Sequence, residues 1–364
     1  MADHLHILGT GNIVAKVFPA FLAENFPVQD HSFLIVGDKY DRSEFPENTT
    51  LIKTFRHAAV MAQIKQHEHT LIHGMSISTY TKVCLLLQPK YLRRIVWVAW
   101  GADLYPADRS HSLKARISGL IDFWFKKSIK NFVGIFEPDI RYFRKRFGSR
   151  ANTFFAKYAS GSETRNPIYL EPPFLQTIAD KRTSGAPVTI LVGHQSNPLL
   201  DHCTVIDRLA RFTGENIHVI IPLSYGDAAH AETVGRYAES VLADKVTVLR
   251  DFMSQKEYMD ILKNIDIAIF HIDRQIGLGN IYPLMYMQKK LYMKSSGVMY
   301  GHFRTDGIDI QPSELLEDIS FEELVRDVDM SAATDYVVSL QDTAANVTRW
   351  RHVFEALDGQ RRTV

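Results

Sequence analysis

Cysteine is nearly absent from this chain: Cys84 and Cys203 are the only two in 364 residues. They stand far apart and form no CxxC pair. A disulfide framework and a structural zinc site are therefore excluded, and a reducing compartment is expected. Long apolar runs are missing too; none approaches the ~20 residues that a membrane-spanning helix requires. No basic-then-apolar leader opens the sequence, so the protein is expected to be made and kept in the cytosol. Repeats and low-complexity tracts are absent. Net charge is also small, at +1, on a chain that is 46% hydrophobic and 23% charged. That is the composition of an ordered globular protein, and its length fits two domains better than one.

The small net charge hides an uneven distribution. Between Asp108 and Arg150 eleven Lys and Arg face four acids, so this stretch carries an excess of seven positive charges. The remainder of the chain is net negative. A basic region on an otherwise acidic protein points to a partner.

Short apolar runs alternate with helical patterns along the first half. Strands are predicted at 4–8, 32–36, 70–73, 95–99, 132–136 and 153–157, with helices at 13–24, 58–67 and 77–87 between them. Two segments rich in Gly, Ser and Pro, "YASGSETRNPIYLEPPF" (158–174) and "DKRTSGAP" (180–187), break this rhythm. The alternation then restarts, with strands at 188–192, 218–222, 246–249 and 265–270 and helices at 199–212, 228–242 and 255–263. The expected fold is α/β, with two Rossmann-like domains facing each other. Expected boundaries are 1–165, a linker at 166–186, a second domain at 187–342, and a C-terminal helix at 343–364 free to return to the first domain.

Ligands of open parallel sheets bind beyond the carboxyl ends of the strands, so the segments that follow each strand carry the functional argument. "FHIDRQIGLGNIYPLMYMQKK" (270–290) is a strand end, a glycine-bearing loop and a helix start. That order makes an anion site: backbone N–H groups from Gly277 to Asn280 and the helix dipole would face a phosphate, with Arg274 and Gln275 beside them. Gly277 and Gly279 would allow close approach of the backbone; an ordinary strand-to-helix turn is the plainer reading. "VGHQSNPLLDH" supplies His194, Gln195, Ser196 and Asn197 at a second helix start, suited either to phosphate and sugar hydroxyls or simply to capping. Tyr225 could stack on a base or merely pack, and Phe252 has the same two readings.

In the first half, "WGADLY" places Trp100 and Asp103 just after a strand. Asp103 is a candidate general base, or a helix cap; His73, ending another strand, is its rival. "GTGN" (Gly9, Gly11, Asn12) is half of a dinucleotide fingerprint whose third glycine is replaced by Val14. "DVD" (327–329) lies in an acidic, helical-looking tail and reads as a solvated face, so no metal is expected, and no cofactor. In "HSLKARISGLIDFWFKKSIKNF" (111–132), Ile117, Leu120, Ile121, Trp124, Phe125 and Ile129 fit one broad apolar helical face. With Lys126, Lys127 and Lys130 near Trp124, the segment suits an anionic membrane surface; a helix packed on its sheet with basic outer residues is the simpler alternative. No nucleic-acid-binding module is recognisable.

The segments "VWVAWGADLY" (96–105), "ILVGHQSNP" (190–198), "IPLSYG" (221–226) and "IDIAIFHIDRQIGLGN" (265–280), with the helix "VTRWRHVF" (347–354), resemble the bacterial TDP-N-acetylfucosamine:lipid II N-acetylfucosaminyltransferase family. That family makes a lipid-linked trisaccharide of enterobacterial common antigen. The resemblance implies a GT-B architecture, a nucleotide-sugar donor held by the second domain and a polyprenyl-diphosphate-linked acceptor held by the first. It also implies peripheral attachment to the cytoplasmic face of the inner membrane. From residues alone, a nucleotide-sugar epimerase and a non-catalytic nucleotide-sugar-binding protein remain alternatives, with an NAD oxidoreductase more distant.

Overall fold

Runs of β-branched and apolar residues buried on both faces build two all-parallel sheets, each with helices packed against it. The computed structural model describes residues 3–9, 14–37, 41–75, 77–105, 112–148, 150–158 and 178–360. The chain divides into two compact units, Met1–Arg165 with Leu340–Val364, and Asn166–Ser339.

The first unit contains β1 (His4–Gly9), α1 (Val14–Asn25), β2 (His31–Val36), β3 (Thr49–Ile52), α2 (His57–Gln66), β4 (His69–His73), α3 (Thr79–Leu86), α4 (Pro89–Leu92) and β5 (Ile95–Ala99). It continues with α5 (Leu113–Ser128), β6 (Asn131–Gly134), α6 (Glu137–Phe147) and β7 (Asn152–Phe155). Strand order is β3-β2-β1-β4-β5-β6-β7. The edge strand β3 escapes the sequence pattern because its four residues, TTLI, are partly exposed and show no apolar run. The other boundaries fall within two residues of those expected.

The second unit contains α7 (Ile178–Ser184), β8 (Val188–Val192), α8 (His202–Ala210), β9 (Ile217–Pro222), α9 (Ala228–Leu242), β10 (Val246–Leu249), α10 (Gln255–Asn264) and β11 (Ile267–Phe270). There follow α11 (Leu278–Tyr286), β12 (Lys290–Met293), α12 (Val298–Thr305), β13 (Gln311–Pro312), α13 (Phe321–Leu324) and α14 (Ser331–Gln341), whose last residues pass into the first unit. The order β10-β9-β8-β11-β12-β13 repeats that of the first sheet. Residues 178–184 of the predicted linker are helix, with Ile178 buried in this unit's core. The single helix expected at 199–212 is broken at Asp201, which adopts φ 45° between a short 3-10 turn and α8. Asp266 was predicted as strand, but it caps the strand entrance instead: its carboxylate accepts from Thr189 N and pairs with Lys181. Asp327 and Asp329 of the DVD segment are solvent-exposed as expected, but the segment is not helical. Asp327 accepts from Ile178 N, and Asp329 accepts from Ser331 N at the start of α14.

The final helix, α15 (Thr343–Gly359), returns to the first unit. Trp350, Val353, Phe354 and Leu357 join α1 residues Phe18 and Phe21 over one face of the first sheet. The Trp350 indole N–H donates to the carbonyl of Lys157, 2.8 Å away, and so ties this helix to the end of β7.

Candidate functional site

Both sheets reverse their winding direction at one point, between β1 and β4 in the first and between β8 and β11 in the second. Such switch points open a crevice at the carboxyl ends of the strands. In the second unit the loops after β8 and β11 meet there. Gly277 takes φ 74° at the start of α11, and a Cβ on it would lie 2.7 Å from the His194 ring, so only glycine allows this contact. No side chain caps α11. The first backbone N–H groups of such an uncapped helix carry the positive end of its dipole.

Around that helix start, three polar atoms are buried without a hydrogen-bond partner among the described residues: His194 Nδ1, Gln275 Oε1 and Asn280 Oδ1. Buried polar atoms are normally paired, so a cluster of unmet ones beside an uncapped helix marks a place for a polar ligand. Burial, with a smaller contribution from His202, holds the His194 imidazole down at about 3, so it is neutral. Arg274 and Gln195 are half-buried nearby in sequence, and Gly279 is exposed on the first turn of α11. Ser196 and Asn197 are occupied structurally. Ser196 Oγ donates to the Asp227 carbonyl, and Asn197 caps the turn Pro198–Leu200 by accepting from Leu199 N. After β9 and β10, Tyr225 and Phe252 remain exposed, while Tyr258 Oη is buried and unpartnered among the described residues.

The first unit has a different character at its strand ends. His4 and His6 on β1, His31 on β2, and His69 and His73 on β4 point to one face of the sheet, and all five are buried. The signal for this file was the period-two placement of histidine in "HLH" and the i, i+4 pair in "HTLIH". His73 Nδ1 lies 2.7 Å from Tyr158 Oη, and His73 Nε2 lies 3.1 Å from His6 Nδ1. His6 Nε2 is in turn 3.1 Å from His31 Nδ1. The Trp100 indole donates to Tyr158 Oη at 2.7 Å. Burial keeps these rings neutral: His73 is held at about 3, His31 at about 4, and His6 well below the usual imidazole range with the neighbouring histidines adding to the effect.

Asp103 accepts three N–H donors: Met75 N at 2.8 Å, the Trp97 indole at 2.6 Å and Trp100 N at 2.8 Å. It thereby clasps the loops after β4 and β5. Burial raises its carboxyl despite those donors. Trp100 in turn packs over Gly74, whose φ of 63° and missing side chain make room for the indole. Asp139, which the sequence reading passed over, is pushed up to about 7 by burial. Its Oδ1 accepts from Tyr105 Oη, and its Oδ2 has no partner among the described residues. Gly9 ends β1, whereas Gly11 and Asn12 lie outside the described residues.

Helix α5 separates the residues assigned to a membrane face. Lys126 does not belong there: it is buried, paired with Asp122 at 2.7 Å, and it donates to the Asp103 carbonyl. Phe125 is likewise buried, so the apolar residues cover two faces and not one. Leu113, Ile117, Leu120 and Trp124 form an outward stripe at i, i+4, i+7 and i+11, each 50–72% exposed. Lys127 and Lys130 are exposed beside it, and Lys127 lies 5.1 Å from the Trp124 ring centre.

Solved structures share this fold. HepE of Anabaena, determined in complex with UDP, is 11% identical, with 97% of this chain and 100% of that chain covered and a TM-score of 0.67. Sucrose-phosphate synthase of Thermosynechococcus elongatus is 12% identical over 98% and 100%, with a TM-score of 0.68. A glycosyltransferase of Rickettsia africae is 12% identical over 98% of each chain, with a TM-score of 0.64. The architecture is thus that of the GT-B glycosyltransferases. Residues 1–306 match the 4-alpha-L-fucosyltransferase family, glycosyl transferase group 56, and the chain belongs to that family. It is a glycosyltransferase, not one of the epimerase, oxidoreductase or non-catalytic alternatives.

The histidine file sets the acid sensitivity of the first unit. In the unfolded chain each imidazole takes a proton near pH 6.5, whereas His31 and His73 in the fold resist protonation to about 4 and 3. Stability is therefore full above pH ~6.5 and falls as the pH drops, by about 1 kcal/mol per pH unit for each resisting histidine. Groups facing the file from other elements are Tyr158, His67 and the α15 residue Asp358, which pairs with His4. Denaturation of the first unit should shift steadily to lower denaturant between pH 6.5 and 5; a flat profile there would contradict neutral burial.

Proposed function

We propose that the protein transfers an N-acetylfucosamine-like amino-deoxy sugar from a TDP-linked donor to a polyprenyl-diphosphate-linked saccharide, as a step in enterobacterial common antigen synthesis. The family description supports fucosyl transfer. The observation that carries the donor assignment is the uncapped start of α11, with His194, Gln275 and Asn280 unmet around it. Departure of a nucleoside diphosphate places negative charge on its leaving oxygen. N–H groups of Leu278 and Gly279, with the helix dipole and Arg274, would stabilise that charge as it develops. The neutral imidazole of His194 and the Gln275 and Asn280 side chains would meet the remaining phosphate or sugar oxygens and hydroxyls. Tyr225 and Phe252 supply exposed rings for the base. The UDP complex of HepE is consistent with a nucleotide donor on this fold.

For a lipid-linked acceptor, the α5 stripe supports attachment to an anionic bilayer. Its span of about 16 Å at 1.5 Å per residue, edged by Lys127 and Lys130, matches an interfacial helix lying flat, on the cytoplasmic face of the inner membrane. Among the described residues no helix is long and apolar enough to cross a membrane.

Gly279 gives a clean test of the donor site, because a Cβ there meets no protein atom within 4 Å. Gly279→Ala should leave the melting temperature of the ligand-free protein within a degree or two. It should also weaken stabilisation by TDP-sugar at least about tenfold in Kd, a ~1.4 kcal/mol loss. Unchanged nucleotide affinity in this variant would rule out close phosphate contact at α11. For the membrane, replacing Leu113, Ile117, Leu120 and Trp124 together by serine should abolish sedimentation with phosphatidylglycerol vesicles, with donor binding retained. Full co-sedimentation of the variant would remove α5 from the contact.

A further inference from the structure

His73 faces no open surface: it is fully buried, and both ring nitrogens have neighbours within hydrogen-bond distance. The group at the strand ends is Tyr158, half-buried, with its hydroxyl between Trp100 Nε1 and His73 Nδ1. The chemistry of those two neighbours differs. An indole N–H only donates, so Tyr158 Oη accepts from Trp100. Its contact with His73 Nδ1 runs either way with the tautomer. In the arrangement where the Tyr158 hydroxyl donates to His73 Nδ1, a neutral His73 carries its proton on Nε2, toward His6 Nδ1, and His6 carries its own on Nε2, toward His31 Nδ1. Every proton in the file then points inward, away from Tyr158, and one lone pair of the tyrosine oxygen has no donor among the described residues.

We propose that Tyr158 is the group that takes the proton of the attacking acceptor hydroxyl, with His73, His6 and His31 as the positioning file that receives the proton Tyr158 gives up. The proposal rests on the reading that the acceptor lies against the first unit. The acceptor oxygen forms its bond to the anomeric carbon as the bond from that carbon to the diphosphate oxygen breaks, and the electron pair leaves with the diphosphate. The acceptor proton passes to Tyr158 Oη, and the tyrosine proton passes to His73 Nδ1. Protons then move from His73 Nε2 to His6 Nδ1, and from His6 Nε2 to His31 Nδ1; because burial disfavours the imidazolium so formed, the shifts reverse once product has left and the proton returns through Tyr158 Oη to water. Burial and the nearby Asp103 hold the Tyr158 hydroxyl well above its ordinary range, so a lasting phenolate is disfavoured and the two transfers at tyrosine are coupled. The file explains why histidine, and not another apolar ring, fills this part of the core: a neutral imidazole accepts on one nitrogen and donates from the other.

Two measurements on the full-length protein decide it. In the wild type, nitrogen NMR of histidine should show His73 unprotonated at Nδ1 and protonated at Nε2; the opposite tautomer overturns the proposal whatever the acceptor is. Single-turnover transfer is then measured from TDP-N-acetylfucosamine to a short-chain polyprenyl-diphosphate disaccharide. Tyr158→Phe should lose at least about 100-fold in rate, with the Kd for donor unchanged. His73→Gln offers the tyrosine an amide oxygen that accepts a hydrogen bond but is not basic, and it should lose as much. A full rate in either variant overturns the proposal. Wild type that binds donor yet does not use this acceptor refutes the acceptor reading instead, and the tautomer alone then decides for or against Tyr158.

Discussion

The hydrogen bond from the Trp350 indole to the Lys157 carbonyl joins the last helix of the chain to the end of the seventh strand, and the first unit is closed through that contact. Without α15, the row of five histidines on one face of the first sheet would lose the cover of Trp350 and Phe354 and keep Phe18 of α1 over His6 and His73. With it, Trp350 and Phe354 cover the row, and His6, His31 and His73 become a dry, neutral, hydrogen-bonded file. An apolar core would be cheaper to bury, since each polar ring must find partners there. The arrangement is stable because the partners are other members of the file. Its upper end is held by Trp100, and Trp100 is held in turn by the Asp103 carboxylate and by the space above Gly74.

The two sheets share a strand order but differ in chemistry where ligands bind. At the second, polar atoms are left unmet around an uncapped helix, which marks a place for a polar ligand. At the first, the groups after the strands are engaged: Asp103 by three N–H donors, and Tyr158 by an indole and an imidazole. The proposed donor edge thus offers open backbone N–H groups, whereas the first holds hydrogen-bonding groups in fixed directions.

Much of the fold was legible because buried parallel strands are continuous apolar runs. Ile95–Ala99 and Val188–Val192 carry no polar residue but Thr189 and were placed to the residue. Strands with mixed character were not. β3 is a half-exposed edge, and β12 begins with Lys290, whose ammonium is buried against the carbonyls of Glu323, Leu324 and Arg326, a cap from distant chain that no local pattern shows. Gly277 at the start of α11 was readable because glycine at a strand-to-helix junction has a steric reason. Ser196 and Asn197 looked equally suited to a ligand, yet loop pairing consumed them. Lys126 was misplaced because a cluster of lysines beside a tryptophan does not reveal that one of them turns inward to Asp122. Tyr158 went unnoticed because its partners are 58 and 85 residues away in sequence.

A crystal structure of the protein with TDP bound tests the central claim most directly. The account predicts diphosphate oxygens within hydrogen-bond distance of the Leu278 and Gly279 backbone N–H groups, with His194 Nδ1 donating to the nucleotide or Gln275 Oε1 or Asn280 Oδ1 accepting from one of its hydroxyl or N–H groups. A nucleotide seated elsewhere, with those three side chains still unmet, would contradict it.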